Sequence, residues 1–223
     1  EENFFVGELI LVTLLDEENT LLKCESILDI VYEDDYFLIV NKPYNIDVEP
    51  TKINNENSLA NMITYYFCKN NINSKIHLVN RLDKLTTGLV IIAKNQYIHN
   101  IFSKVKITKK YLAKVKGKTN KKGIIKIKID KDENSIKRIV SDTGKSCITK
   151  YKTLSFDGNN SLVEIDLLTG RTHQIRVSFA HINHPLVSDV LYGSKEDENM
   201  YLKAYYLKFK HPITNKTIKI TRK

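Results

Sequence analysis

Two short segments concentrate the side chains able to do chemistry. The first is Asn80-Arg81-Leu82-Asp83-Lys84-Leu85-Thr86-Thr87-Gly88-Leu89. It sets one carboxylate, Asp83, two residues from a guanidinium, between an apolar segment and a strand-like run. Loops at strand ends are where scaffolds place reactive groups, and a carboxylate held there can act as a nucleophile. Gly88 permits close backbone approach, and the hydroxyls of Thr86 and Thr87 can bond local backbone. The second segment is Thr169-Gly170-Arg171-Thr172-His173-Gln174-Ile175-Arg176. It gathers two arginines, a histidine and a glutamine where a helix is expected to begin, near Thr172. Such a start offers free N–H groups and a positive dipole end, and an arginine there can pair with a carboxylate or a phosphate. Taken alone, each segment also reads as an ordinary turn or a solvated basic helix start.

The elements that must hold these segments are mostly strands. Phe37-Leu38-Ile39-Val40 is a short buried strand, and Gly88-Leu89-Val90-Ile91-Ile92-Ala93 is another. Ser58 is placed to cap a helix over 58–69, with Leu59, Met62, Ile63, Tyr66 and Phe67 on one face. A short helix carries Ile98, Ile101, Phe102 and Val105. Tyr111 to Val115 alternates as a strand, and the Lys-rich stretch 118–152 predicts exposed hairpins. Leu162 to Leu167 alternates and leads into the second segment. Its helix turns Ile175, Phe179 and Ile182 inward. A hairpin from Tyr205 to Ile220 closes the chain. The expectation is an α+β domain, a mixed and mostly antiparallel sheet flanked by short helices.

Composition narrows the partners. The 223 residues carry a formal net charge of +9. Residues 1–60 hold 3 Lys+Arg against 14 Asp+Glu, a net of −11, and residues 61–223 carry +20. A basic body of this kind suits a polyanion. Cys24, Cys68 and Cys147 lie far apart without C-x-x-C spacing, which argues against a disulfide framework or a thiolate metal site. His173, His181 and His184 match no zinc spacing, so no metal is expected. No apolar run is long enough for a membrane helix, and the start lacks the pattern of a signal peptide. A cytoplasmic monomer is expected.

In order, four segments resemble the RluA/RluD family of pseudouridine synthases. Val31 to Pro43 is similar to the opening "YEDD…VVNKP" of the family, and Asn80 to Leu89 to its "HRLDxxTSGL" box. Lys109 to Gly117 is similar to "KxYxAxVxG", and Gly170 to Gly193 to "GRTHQIRxHxAxxGHPxxGDxxYG". The resemblance covers about residues 27–220. Departures are Asn80 for the usual His, Ser178 and Asn183 for His and Gly, and Ser188-Asp189-Val190 for Gly-Asp-Pro. In addition, Glu49 stands before Pro50 where His is common, and the basic loop 118–145 is short.

The resemblance implies a pseudouridine synthase fold and an isomerase acting on uridines of structured RNA, ribosomal RNA before transfer RNA, without cofactor. It implies that Asp83 is the catalytic aspartate, that Tyr111 packs against the target base, and that Arg171 pairs with Asp83. Arg81, Lys42, Lys110, His173, Gln174 and Arg176 are expected RNA contacts. Residues 27–223 would form the catalytic domain. Residues 1–26 would be the tail of an amino-terminal RNA-binding module, with Phe5 to Val12 similar to its closing strand. The alternatives are a catalytically silent RNA-binding or ribosome-assembly factor on the same fold, and an RNA glycosidase that releases free uracil.

Overall fold

The computed structural model describes residues 7, 18–195 and 199–222. The strand expected over 5–12 lies outside them, Gly7 apart. The described residues form one twisted sheet with three α-helices packed on its faces. The strands are β1 (Ile30–Glu33), β2 (Phe37–Lys42), β3 (His77–Leu78), β4 (Thr87–Ala93), β5 (Thr108–Lys116), β6 (Lys122–Lys131), β7 (Arg138–Val140), β8 (Lys145–Phe156), β9 (Asn160–Leu167), β10 (Leu202–Lys210) and β11 (Thr217–Thr221). The helices are α1 (Leu59–Lys69), α2 (Gln96–Phe102) and α3 (Gln174–His181). Their spatial order is β1-β2-β4-β10-β5-β9-β8-β6-β7, with β11 beside β10 and β3 beside β4. All named pairings are antiparallel except β4 with β10. The α+β expectation therefore holds.

Both faces of the sheet centre are covered, which explains the unbroken apolar runs in β2 and β4. Leu38 and Val40 point into a cluster with Leu59, Ile63 and Phe67 of α1, and Phe179 of α3 belongs to the same cluster. Phe37 and Ile39 point the other way, into a cluster with Ile98 and Phe102 of α2 and Phe209 of β10. Ser58 caps α1 as its sequence predicts. Its hydroxyl accepts from Asn61 N, and the Asn61 side chain reaches back to Ser58 N at 3.0 Å. Asn95 caps α2 by accepting from Ile98 N at 2.9 Å.

The Lys-rich hairpins are as open as their alternation suggests. Along β6, Ile125 and Ile129 are buried while Lys122, Lys126 and Lys128 are exposed. Val177 of α3 packs with Ile129 and Cys147, so α3 covers the inner face of β6 and β8. Among the described residues, no helix is long and apolar enough to cross a membrane.

Candidate active site

Asp83 occupies a turn that four separate devices hold against the sheet. Its carbonyl accepts from Thr86 N at 2.9 Å. Asn80 is buried; its Oδ1 accepts from Ile91 N at 2.9 Å, and its Nδ2 donates to Leu89 O at 3.2 Å. The amide thus acts as a strand residue paired to β4, which gives Asn a structural task at a position where the family box has His. Leu82 anchors the turn in the core. Lys42, at 0% exposure, directs its Nζ to the carbonyls of Pro43 at 2.9 Å, Ile46 at 2.7 Å and Lys84 at 2.9 Å. Burial pulls its ammonium down to about 8, opposed by the charges of Asp47 and Asp83.

Gly88 is required by the next step of the chain. It sits at φ +113° opposite Ala204 of β10, and a Cβ there would meet the Ala204 carbonyl oxygen at 2.2 Å. The glycine lets β4 and β10 run side by side directly behind Asp83. Thr87 Oγ1 donates to Leu202 O at 3.4 Å, as expected of a hydroxyl bonding backbone. Thr86 Oγ1 does not follow that expectation, because it is buried with no hydrogen-bond partner among the described residues.

The second segment is fastened by Gln174. Its Oε1 accepts from Arg171 N at 3.0 Å and from Thr169 Oγ1 at 2.9 Å. Its Nε2 donates to Ile148 O and to Thr149 Oγ1. The helix begins at Gln174 rather than near Thr172, because His173 adopts a left-handed φ of 56°. His173 Nδ1 lies 2.8 Å from Tyr192 Oη, the oxygen that also accepts from Arg138 N. Burial lowers the pKa of His173, Arg176 and Arg138 add to that, and Asp83 and Asp189 oppose it. Burial thus favours the neutral imidazole.

These elements enclose a cavity of about 760 Å³. Its wall includes Asp83, Arg81, Lys109, Tyr111, Arg171 and His173, together with Asp47 and Glu49. An adjoining pocket of about 60 Å³ shares Asp83, Tyr111, Arg171 and His173 with it and adds Thr86, Ile175, Arg176 and Leu202. Asp83 makes no side-chain ion pair or hydrogen bond among the described residues, so its carboxylate faces the cavity uncommitted. Tyr111 is 7% exposed, and burial together with the Asp83 charge raises its phenol pKa, keeping it neutral.

Several expected RNA contacts take other positions. Lys42 and Gln174 are buried and committed to the internal bonds above. Arg176 is 5% exposed and grips Asp189 with two bonds of 2.7 Å, from Nε to Oδ2 and from Nη2 to Oδ1. Burial works against its charge, and Asp189, helped by Asp83, more than restores it. Lys110 points to the opposite sheet face and bonds Glu164. None of these four presents a free cation or amide to the cleft. Arg81 does reach the cavity, where it pairs with Glu49 at 2.8 Å.

Arg171 is exposed on the cavity wall and forms no ion pair with Asp83 within 4 Å. The tether from its own N–H to Gln174 fixes its backbone and leaves its guanidinium free. The cations whose charge couples to Asp83 are Arg176, Lys42 and any protonated His173. Lys109 was absent from the expected contacts and lines the cavity, where burial lowers its pKa. The signal for it was the period-two alternation of β5, which places residues 109 and 111 on one face and 110 on the other.

The sheet and cleft are those of a pseudouridine synthase, an isomerase. The chain belongs to the RNA pseudouridylate synthase family, whose model matches residues 36–181, and within it to the RluA/RluD-like group. It is 36% identical over 223 residues to the uncharacterized RNA pseudouridine synthase YhcT of Bacillus subtilis (strain 168), covering 95% of this chain and 74% of the relative. It is 34% identical to ribosomal large subunit pseudouridine synthase D of Buchnera aphidicola subsp. Schizaphis graminum, covering 95% and 75%. The structure of human RNA pseudouridylate synthase domain containing 1 matches with a TM-score of 0.73 at 25% identity, over 88% of this chain and 83% of that one. The human domain containing 4 structure shares the fold, with a TM-score of 0.70 at 20% identity over 87% of each.

Proposed function

We propose that this protein converts uridines of ribosomal RNA into pseudouridine in the cytoplasm, with Asp83 as the reacting carboxylate. The observation that carries this reading is the position of Asp83. It lines a cavity of about 760 Å³ with no side-chain partner among the described residues, in a turn held by Asn80, Lys42 and Gly88. Pre-positioning of that kind is what a reacting group needs. The bond from C1′ to N1 of uracil breaks, a bond from C1′ to C5 forms, C5 gives up its hydrogen and N1 takes up a proton. Atoms and oxidation level are conserved, so the conversion asks for no redox partner. The carboxylate acts at C1′, at C6 or on a ribose proton.

The target uridine has to leave its stack to meet Asp83, which costs a few kcal/mol and least in loops and bulges. Tyr111 offers a neutral aromatic face beside the carboxylate, and base–aromatic stacking contributes roughly 1–3 kcal/mol. Arg81, Lys109 and Arg171 supply positive charge around the cavity mouth for the backbone of the same strand. The experiment is carbodiimide modification and primer extension on ribosomal RNA from cells with and without the gene. Loss of specific stops on deletion, restored by the wild-type chain and not by Asp83→Asn, supports the reading. Unchanged stops in ribosomal RNA overturn it.

A further inference from the structure

Tyr192 stands where three parts of the molecule meet. It ends a short 3-10 turn, Val190–Tyr192, which follows directly on Asp189, the residue that grips Arg176. The Arg176 guanidinium lies over the Tyr192 ring, 5.0 Å from its centre. The His173 ring meets the same ring edge-on, at 5.7 Å and 86°. Among the described residues, two groups lie within hydrogen-bond distance of Tyr192 Oη. They are Arg138 N and His173 Nδ1, each at 2.8 Å. The first is the amide that opens β7, the last strand of the sheet. The second belongs to a residue that lines the cavity together with Asp83.

The chemistry of these groups fixes the direction of each bond. A backbone amide can only donate, so Arg138 takes a lone pair of the phenol oxygen. Burial raises the pKa of the phenol against the pull of the Arg138 bond and the Arg176 charge, so its proton stays. That proton has one acceptor in reach, His173 Nδ1. An imidazole that accepts at Nδ1 is neutral and carries its hydrogen on Nε2. A protonated ring would put a hydrogen on Nδ1 as well and leave the phenol proton without an acceptor. The charges around the ring are Asp83 and Asp189, set against Arg176 and Arg138. His173 Nε2 has no hydrogen-bond partner among the described residues, and it is not one of the fully buried atoms left unpaired.

We propose that Tyr192 is a positioning residue for the isomerisation, which holds His173 as a neutral Nε2–H donor to an acceptor oxygen of the bound nucleotide. The inference rests on the reading of Asp83 given above. A neutral donor suits this place. An imidazolium beside Asp83 would compete for the carboxylate that has to react, whereas a neutral N–H bonds a nucleotide oxygen and leaves the carboxylate charged. The Arg138 amide pins the same phenol oxygen, so the setting of His173 is tied to the Lys-rich hairpin of β6 and β7.

The test compares Tyr192→Phe, His173→Asn and the double variant with wild type. Tyr192→Phe keeps the ring over Arg176 and removes the oxygen. Asn tolerates the left-handed backbone of position 173 and lacks Nε2. Imidazole nitrogen shifts of the full chain labelled with nitrogen-15 histidine, assigned by the signal missing from His173→Asn, read the tautomer directly. Wild type should show a neutral ring protonated at Nε2. Tyr192→Phe should show mixed tautomers and take up a proton at higher pH, because the neutral form has lost its donor. The rate is single-turnover tritium release from in vitro transcribed large-subunit ribosomal RNA labelled at uridine C5. Each single variant should slow it roughly tenfold, the weight of one hydrogen bond, with RNA affinity within about threefold. The acid limb of the rate should move to higher pH in Tyr192→Phe, and the double variant should be no slower than the slower single one. A wild-type ring protonated at Nδ1 overturns the proposal, as does a Tyr192→Phe protein with the wild-type rate. Losses that multiply in the double variant, or a slow Tyr192→Phe with unaltered nitrogen shifts, make Tyr192 a packing residue and overturn it too. If wild type releases no tritium, the reading of Asp83 fails and this role falls with it. If it releases tritium with His173 in the other tautomer, this role alone fails.

Discussion

Lys42 Nζ and Lys84 O stand 2.9 Å apart, which ties the end of β2 to the residue that follows Asp83. A fully buried lysine here does the work of a clamp. Its three donors meet three carbonyls from two separate loops.

Lys42→Met therefore strips a partner from three carbonyls at once. The expected loss is about 3 kcal/mol of stability, in the range for orphaned buried groups. Activity should fall further than stability alone explains, because the Asp83 turn loses one of its ties. Urea melts and single-turnover assays on the same preparation check this. A stable, fully active Lys42→Met would show that the clamp is not needed.

Asp34 gives the acid limb of the stability curve a specific cause. Its carboxylate accepts from Tyr32 Oη, Tyr36 N, Phe37 N and His211 Nε2, at 2.7 to 3.0 Å. Burial pushes its pKa up, but these bonds together outweigh it and hold the carboxyl below the usual 3.8. A carboxyl depressed in the folded state stabilises above its unfolded pKa and loses that contribution as pH falls through the folded value. Wild type should thus lose more stability than Asp34→Asn as pH drops from about 5 to 2. Parallel curves for the two proteins would remove Asp34 from the account.

Arg171 is exposed and has no carboxylate partner among the described residues, which suits an RNA phosphate. Arg171→Ala should keep its melting temperature, weaken RNA binding, and flatten the plot of log K against log[salt] by about 0.7, the weight of one single-strand phosphate contact. Turnover of RNA already bound should stay within a few-fold. If instead affinity holds and the bound rate collapses, Arg171 swings onto Asp83 in the complex and acts in the chemistry.

How far the sequence reached depended on whether one period or several contacts decided the outcome. The runs Phe37–Val40 and Leu89–Ala93 announced buried strands, and Ser58 announced α1, because local pattern governs each. Asp83 and Tyr111 were legible through ordered motifs. The neighbours were less so. Lys109 and Lys110 are adjacent in sequence and sit on opposite faces of β5, and the alternation that separates them is visible in the sequence once the strand is phased by Tyr111. The burial of Arg176 was not visible, because its partner Asp189 lies 13 residues away across a loop. Neither was the fate of Lys42, whose carbonyl partner at Lys84 depends on how two loops meet. That the Thr86 hydroxyl is buried without a partner among the described residues is a property of the packing and has no signature in the chain.

In the proposed reaction the Asp83 carboxylate carries the isomerisation. Asp83→Asn preserves size and removes the charge, and among the described residues no hydrogen bond or ion pair depends on that charge. Single-turnover tritium release from C5-labelled ribosomal RNA, measured beside a binding isotherm and a thermal melt, tests it directly. The rate should fall by about three orders of magnitude or more, with affinity and melting temperature close to wild type. Release within tenfold of wild type would contradict it and move the chemistry to another residue.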